Sequence, residues 1–492
     1  MGTDVQVLHH SGIRVFQADL EGVCTGTLTF GVGRSDEPVL LAGITHLMEH
    51  LLFRLISPIA IENNGHVDND VLAVYASGSP EDVGQFFNRL VAAIPRLAEL
   101  TERDLELEKQ ILRIENISKF DDPTVGLMTY RYGLTGIGTA SFGAPATTSF
   151  TVKEVVDWAE TWLRADNATF AFSRELPVAL NLPLPPGPVA RIPQRDIPLA
   201  TPALISSTKA GVAMSLLVTR DHAASLCVAL QQDLEMELRH NRGLVYNVGS
   251  FSNAIDMNTT EIVVLLDPLI TGISASVRVA TRLLRKIAET GFSDAAVMTA
   301  RNQVVVDSTR TFSALDYLER RAEDALFDRS TLTPDEQQAA ATTLSAEHLQ
   351  SALAASISTL IVAFDEDATI SKKTLKSTGF EVNYMSPWEP IDEEPAASAN
   401  TVAASNWRGK ETKDVLVIAD RALLKITKKY SDQILFSDIV LVGDRSCGCV
   451  VLVDSRGRSV EFTGDDWKHL KSLKRALLNK FDRSIVREFP KH

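Results

Sequence analysis

The stretch GTLTFGVGRSDEPVLLAGITHLMEHLLF, residues 26–53, decides how the chain folds, because two hydrophobic periods follow one another in it. Residues 26–34 alternate in polarity, which is the period of a half-buried strand. Residues 44–53 contain neither Pro nor Gly and place apolar side chains at helical spacing. A strand that leads into an amphipathic helix is typical of an α+β domain, in which helices pack on a sheet.

This succession of elements occurs twice in the chain. In the second half the strand VAMSLLVTR, residues 212–220, leads into the helical stretch SLCVALQQDLEMELRHN, residues 225–241. Each half also closes with a helix and a strand, at residues 151–173 and 345–364. An internal repeat of this length indicates a duplication. We therefore expect fold class α+β, with two duplicated α/β sandwich domains that carry helices on one face of the sheet.

Two stretches rich in proline divide the chain further. Residues 179–202 separate the halves, and residues 386–410 read as a solvated linker. After the linker, several short stretches alternate at period two, and DDWKHLKSLKRALLNKF has helical spacing. The predicted domains are residues 1–180, 203–385 and 411–492, the last a small β-rich module with a C-terminal helix that resembles a pleckstrin-homology domain.

Charge and composition narrow the partners and the compartment. A formal net charge of -14 disfavours nucleic acid, since binding phosphates relies on basic side chains. No window is expected to be apolar over the length that spans a bilayer, and no basic segment with an apolar core opens the chain. We expect a cytoplasmic protein without membrane contact. The basic helix of the tail leaves open a contact with acidic lipid or protein, beside the ordinary role of closing a small barrel.

Four scattered cysteines are too few for a disulfide framework, which agrees with a reducing compartment. Cys447 and Cys449 form a C-G-C pair that could bind a metal ion. No second pair is present to complete such a site. The alternative interpretation is that both cysteines are small strand residues that bind no metal ion.

His46 and His50 are four residues apart in the predicted helix, so their imidazoles lie on one face, one turn apart. Glu49 projects toward the same side, where a carboxylate can take a proton from a metal-bound water. The pattern H-x-x-E-H is the inverted form of the zincin motif and predicts a zinc site.

A catalytic zinc ion takes three protein ligands, so a third donor must come from elsewhere in the chain. The helical stretch ELEKQILRIE carries Glu108 and Glu115 seven residues apart on one face. Glu115 is the candidate third ligand, while a solvated acidic face is the ordinary interpretation of this helix taken alone.

Residues 10–385 resemble the pitrilysin, insulinase and mitochondrial processing peptidase family of inverzincins. The matching stretches are GTLTFGVGRSDE, GITHLMEHLLF and EKQILRIE. The resemblance implies zinc ligation by His46, His50 and Glu115, with Glu49 as general base and Glu108 as an auxiliary acidic residue.

The stretch LRHNRGLVY is similar to the family segment that supplies an arginine and a tyrosine to the substrate carbonyl, which implies Arg239 and Tyr246. In that family the pair reaches the zinc ion from the opposite half of a four-domain chamber. A two-domain chain is thus expected to work as a homodimer, or as a heterodimer with a homologous subunit, on peptide substrates. His222 lies where the second half lacks the motif, so that half should bind no zinc.

One stretch departs from the family. The strand that pairs with substrate is compressed here to NNGHVDNDVLAVYAS, residues 63–77, so the specificity groove and any role for Asn69 do not carry over. The leading interpretation is a zinc-dependent endopeptidase or oligopeptidase. The alternative is a non-catalytic or scaffold subunit of a peptidase of the same family.

Overall fold

A computed structural model describes most of the chain. The described residues are 5–117, 124, 126–189, 200–207, 211–256, 258–310, 314–333, 335–336, 339, 343–391, 406–412, 414–428 and 431–490.

The first half forms a six-stranded sheet in which only β2 and β6 pair in parallel. The strand order is β1-β2-β6-β3-β5-β4. The strands are β1 Gln6–His10, β2 Ile13–Gln17, β3 Cys24–Phe30, β4 Glu62–Val67, β5 Leu72–Gly78 and β6 Ala168–Phe172. The helices are α1 Ile44–Ile56, α2 Pro80–Ala93, α3 Glu102–Ile117, α4 Leu127–Tyr132, α5 Ile137–Phe142 and α6 Val152–Trp162.

The second half repeats this topology with the order β12-β7-β11-β8-β10-β9. Its strands are β7 Ala203–Ser207, β8 Val212–Thr219, β9 Val248–Ala254, β10 Thr259–Leu266, β11 Ile361–Asp365 and β12 Val382–Tyr384. Its helices are α7 Ala223–Glu235, α8 Ile273–Thr290, α9 Asp294–Arg310, α10 Ala314–Leu326, α11 Ala346–Ser356 and α12 Lys372–Thr378. Five strands correspond in order and direction, which agrees with a duplication. Only the outermost strands differ, because β1 pairs antiparallel with β2 whereas β12 pairs in parallel with β7.

Each half buries an apolar core between its sheet and its own helices. In the first half Leu47 of α1, Phe87 of α2 and Trp158 of α6 pack on Leu28 and Phe170 of the sheet. Burying such side chains is worth about 1.5–3 kcal/mol each, which drives the helices onto this face. The predicted α+β class is confirmed.

Each half also contributes a helix to the outer face of the other half's sheet. The sequence did not indicate this arrangement. Tyr317 and Leu318 of α10 pack on Phe16 of β2, and Thr27 of β3 donates a hydrogen bond of 2.5 Å to Glu319. In the reverse direction, Leu127 of α4 packs on the second sheet. The two halves are therefore interlocked, and both faces of each sheet carry a helix.

The C-terminal module contains two small sheets, of orders β13-β17-β16-β15-β14 and β20-β19-β18-β21. Its strands are β13 Glu389–Pro390, β14 Asn406–Arg408, β15 Val415–Ile418, β16 Ala422–Ile426, β17 Ser431–Leu435, β18 Ile439–Arg445, β19 Val450–Asp454, β20 Ser459–Phe462 and β21 Val486–Phe489. The helix α13 Leu470–Leu478 is not the last element, since β21 follows it and pairs in parallel with β18. Leu441 and Phe489 pack on Val39 and Leu134, so the module docks on the first half.

The expectation that no window has the apolar length of a bilayer span was wrong for one segment. Residues Val39–Ile56 have a mean hydropathy of 1.5 and contain α1. Leu47, Met48 and Leu51 of this helix are fully buried in the core of the first half. The apolar run is therefore explained by the face of α1 that packs in this core.

Candidate metal centre

The buried carboxylate of Glu37 holds the start of α1 in place. Its Oε2 accepts a hydrogen bond of 2.6 Å from the amide of Gly43, and its Oε1 accepts one of 2.9 Å from the amide of Thr45. The first turn of a helix leaves amides without partners and favours negative charge. Gly43 has a φ of 94°, which glycine adopts without strain. Sequence reasoning missed Glu37 because it lies well before the helix, outside capping-box spacing.

Helix α1 presents His46 and His50 toward Glu115 of α3. Nε2 of His46 lies 3.5 Å from Oε2 of Glu115, and Nε2 of His50 lies 3.6 Å from Oε1. The three donor atoms all lie within 4.8 Å of one another. Tetrahedral zinc with bonds of about 2.0–2.1 Å separates its ligand atoms by about 3.3 Å, so the donor types suit zinc and the widest separation would contract by about 1.5 Å on binding. The structure thus brings the three predicted ligands together.

Glu49 is buried beside these ligands, with only 6% of its surface exposed. Its Oε2 lies 3.8 Å from Nε2 of His46. Burial, with a smaller contribution from the negative charge of Glu115, raises the pKa of Glu49 to about 7. A carboxyl group with a pKa near neutrality suits proton transfer in both directions.

Glu108 lies behind His50 and faces its second ring nitrogen. Oε2 of Glu108 is 3.3 Å from Nδ1 of His50, and Oε1 accepts a hydrogen bond of 2.9 Å from Arg54. Arg54 also donates to Asp104 over 3.1 Å. This chain of contacts orients the imidazole so that Nε2 points at Glu115. Arg54 and Asp104 were missed, although the spacing of four residues between His50 and Arg54 indicates a shared helix face.

The edge strand β4 passes directly over the centre. It pairs with β5 on one side, and no other strand of the described residues pairs with its free edge. Asn64 of β4 and Glu49 line the same groove. The compressed stretch therefore still forms an edge strand beside Glu49, and an edge strand can accept an extended peptide.

Gly65 of β4 approaches Glu49 so closely that a side chain has no room. A Cβ atom at Gly65 would lie 2.4 Å from Oε1 of Glu49 and 2.9 Å from a ring carbon of Phe53. We expect Gly65→Ala to displace the carboxylate and to lower any hydrolytic activity of the centre by about ten- to a hundredfold, because small displacements of catalytic groups have effects of this size. Steady-state kinetics with a peptide substrate measures this.

The matched control is Gly78→Ala, since Gly78 lies in the neighbouring strand β5 and a Cβ there would make only ordinary contacts, the nearest at 3.4 Å from Ile61. Equal activity of the two variants would contradict the close approach of β4 to Glu49.

The centre opens into a groove of about 850 Å³. Phe53 and Leu55 of α1 and Leu100 before α3 contribute apolar side chains to it, with ion-paired groups between them. The residues that line it are Glu49, His50, Phe53, Arg54, Leu55, Ser57, Asn64, Arg96, Glu99, Leu100, Asp104, Glu108 and Glu115. A groove of this size accommodates several side chains of a peptide.

Arg239 and Tyr246 lie in the second half and make their contacts there. Arg239 pairs with Glu235 at 2.8 Å, and its guanidinium lies 5.9 Å from the ring centroid of Tyr246. Tyr246 is 78% exposed and lies just before β9. Arg239 lies in a short π-helical segment, Met236–Asn241, and such segments are frequent at functional sites. Neither residue is among those that line the groove of the metal centre in the same chain, but the two lie close to each other.

Two further expectations concern single residues. The side chain of His222 lies outside the described part of the chain. Asn69 lies in the turn between β4 and β5, where its carbonyl accepts a hydrogen bond from the amide of Ser35 over 2.8 Å. That contact is one of backbone atoms and gives the Asn69 side chain no part in the centre.

Comparisons with known proteins identify the fold. No protein-family model and no curated protein sequence matches this chain. Among solved structures it is similar to a peptidase M16 inactive domain from Pseudomonas fluorescens, with 16% identity, a TM-score of 0.61, and coverage of 74% of this chain and 99% of that one. The first half of the periplasmic protease PqqL from Escherichia coli gives 13% identity, a TM-score of 0.58, and coverage of 77% and 97%.

A third solved structure is a mutant of the ferredoxin protease FusC in complex with Arabidopsis ferredoxin. It has 12% identity and a TM-score of 0.56, with coverage of 85% of this chain and 55% of that one. At these identities the likeness concerns the fold alone. The chain has the fold of M16 peptidase domains.

Proposed function

We propose that the protein is a zinc-dependent endopeptidase or oligopeptidase. The observation that supports this most directly is the convergence of His46, His50 and Glu115 beside the buried carboxylate of Glu49. Two imidazole nitrogens and one carboxylate oxygen are a donor set that zinc prefers in hydrolytic sites. The free edge of β4 lies next to this centre and offers backbone groups to an extended peptide.

In the proposed reaction a zinc ion, when bound, supplies Lewis-acid chemistry that lowers the pKa of water to about 7 and polarises a carbonyl group. Glu49 accepts a proton from the attacking water and donates it to the leaving amine. Glu108 keeps His50 in its orientation through Nδ1. Burial of Glu49 raises its pKa to about 7, a value that suits such a shuttle.

Arg239 and Tyr246 complete the proposed mechanism from a second protomer. A guanidinium and a phenol donate hydrogen bonds, which stabilise the oxyanion that forms during attack on a peptide carbonyl. Both side chains are exposed and lie close together. A pair that contacts a substrate bound to another protomer must have both properties. The proposed assembly is a dimer, either of two copies or with a homologous subunit.

Removal of zinc tests the function directly. The purified protein is expected to contain about one zinc ion per chain, and a chelator should abolish peptide hydrolysis, with zinc restoring it. Metal analysis and a fluorogenic peptide library measure both quantities. A protein that hydrolyses peptides fully after exhaustive chelation would contradict the proposal.

Mixing two inactive variants tests the dimer. Glu49→Gln leaves the Arg239 and Tyr246 pair intact, whereas the double variant Arg239→Ala with Tyr246→Phe leaves the metal centre intact. After exchange of subunits, equal amounts should regain about one quarter of wild-type activity, because half of the dimers are mixed and each has one complete site. The control is each variant alone at the same total concentration. If mixing gives no gain in activity, the active site is not completed across a homodimer. The heterodimer with a homologous subunit would then be the remaining assembly.

A second candidate is a non-catalytic subunit. One solved structure with this fold is described as an inactive domain, so the fold itself does not imply activity. The intact set of His46, Glu49, His50 and Glu115 favours the enzyme. Absence of zinc from protein purified without chelators, and after incubation with zinc, would favour the non-catalytic subunit.

A further inference from the structure

The turn between β18 and β19 holds two thiols around a glycine. Cys447 is exposed and Cys449 is buried. Gly448 between them has a φ of 96°, and its amide donates to the carbonyl of Arg445 over 3.0 Å. This tight turn holds the two cysteines on either side of a single glycine, so a disulfide between them would close within the turn itself.

A cavity of about 450 Å³ adjoins the exposed thiol. Cys447 and Gly448 form one wall, and His469, Leu470, Lys471 and Ser472 at the start of α13 form the other. Lys471 and the first turn of α13 both favour negative charge. The cavity therefore suits a small anionic molecule whose reactive atom comes to rest at Cys447.

The two thiols differ in acidity in a way that agrees with their positions. Hydrogen bonds from the side chain and backbone of Cys449, and the charge of Arg445, lower the pKa of Cys447. Burial, together with the neighbouring Cys447, raises the pKa of Cys449. By contrast, Cys24 and Cys227 are buried in the two cores, and burial raises the pKa of each. Cys447 is thus the most reactive thiol of the chain on grounds of access and acidity alike.

We propose that Cys447 and Cys449 form a thiol–disulfide exchange site for anionic low-molecular-weight disulfides of the glutathione type. The Cys447 thiolate attacks one sulfur of the disulfide, forming a mixed disulfide and releasing one thiolate that takes up a proton. The Cys449 sulfur, after losing its proton, then attacks Sγ of Cys447 and releases the second thiol. Two protein thiols become one protein disulfide, and one small disulfide becomes two small thiols.

The full-length protein with glutathione disulfide tests this. Intact mass is expected to fall by two hydrogen atoms, with the link mapped to Cys447 and Cys449. Cys449→Ser should stop at the first step and retain one glutathione on Cys447. The mass of the Cys447→Ser variant should not change on treatment with glutathione disulfide. The matched control is the double variant Cys24→Ser with Cys227→Ser, which should behave as the wild type.

Several outcomes would overturn the site. One is a wild-type chain that stays reduced while free dithiothreitol in the same buffer is oxidised. Another is a wild-type chain that ends with glutathione on Cys447 and no internal disulfide. For the cavity, Lys471→Glu should slow the reaction with glutathione disulfide severalfold and leave the rate with neutral hydroxyethyl disulfide unchanged. Equal rates of wild type and variant with the anionic reagent would remove the cavity from the proposal.

Discussion

Glu49→Gln is expected to lower peptide hydrolysis by about 10²–10⁴-fold, since general-base catalysis contributes factors of this size. Glutamine has the shape of glutamate but cannot accept the proton of the attacking water. Zinc content should stay at the wild-type level, because the three proposed ligands remain. Steady-state kinetics and metal analysis on the same preparation measure both effects.

The control for this variant is Glu99→Gln. Glu99 lines the same groove and undergoes the same change of charge, but it is exposed and pairs with Arg96 at 3.2 Å. It should keep most of the activity. Thermal unfolding of Glu49→Gln should be unchanged or shifted upward, because the substitution removes an ionisable group from a buried position. Wild-type turnover in Glu49→Gln with full zinc content would refute its role as general base.

Glu115→Gln is expected to lose most of the bound zinc and the activity that depends on it. The carboxylate is the anionic member of the donor set, and both imidazoles point their Nε2 atoms at it. A neutral amide oxygen there is a far weaker zinc ligand than a carboxylate, so two imidazoles alone must hold the ion. Zinc affinity from competition with a chromogenic chelator measures the loss, and the fall in activity should follow it.

Glu102→Gln is the matched control for this experiment. Glu102 lies on the same helix, is exposed at its first turn, and carries the same charge. Glu102→Gln should bind zinc as the wild type does. Equal zinc affinity of Glu115→Gln and the wild type would show that the third ligand is another group. Retained affinity combined with lost activity would instead assign Glu115 to catalysis.

The metal centre could be anticipated because its chemistry depends on local spacing. A separation of four residues on a helix fixes the relation of His46 to His50 whatever the rest of the chain does. Glu115 required an inference of another kind. The need of zinc for a third ligand, together with the family resemblance, selected it among the glutamates of α3, because no local pattern indicated that α3 packs against α1.

The supporting residues could not be anticipated in the same way. Glu37 reaches the amides of Gly43 and Thr45 because a loop folds back on α1. Gly65 lies against Glu49 because β4 occupies the sheet edge above the helix. These contacts join residues across stretches of irregular backbone, where side-chain periodicity has no meaning.

Periodic hydrophobicity in the sequence was sufficient for the α+β class, the duplication and the paired histidines on α1, because each follows from the repeat of a strand or a helix. Tertiary structure alone added the groups that support that centre, namely Glu37, Arg54, Asp104 and Gly65. It also placed α10 and α4 across the opposite sheets and left the Arg239 and Tyr246 pair exposed on the second half. The physical reason is that packing and burial depend on contacts between distant segments, and these set the pKa of Glu49 and the edge available to a substrate.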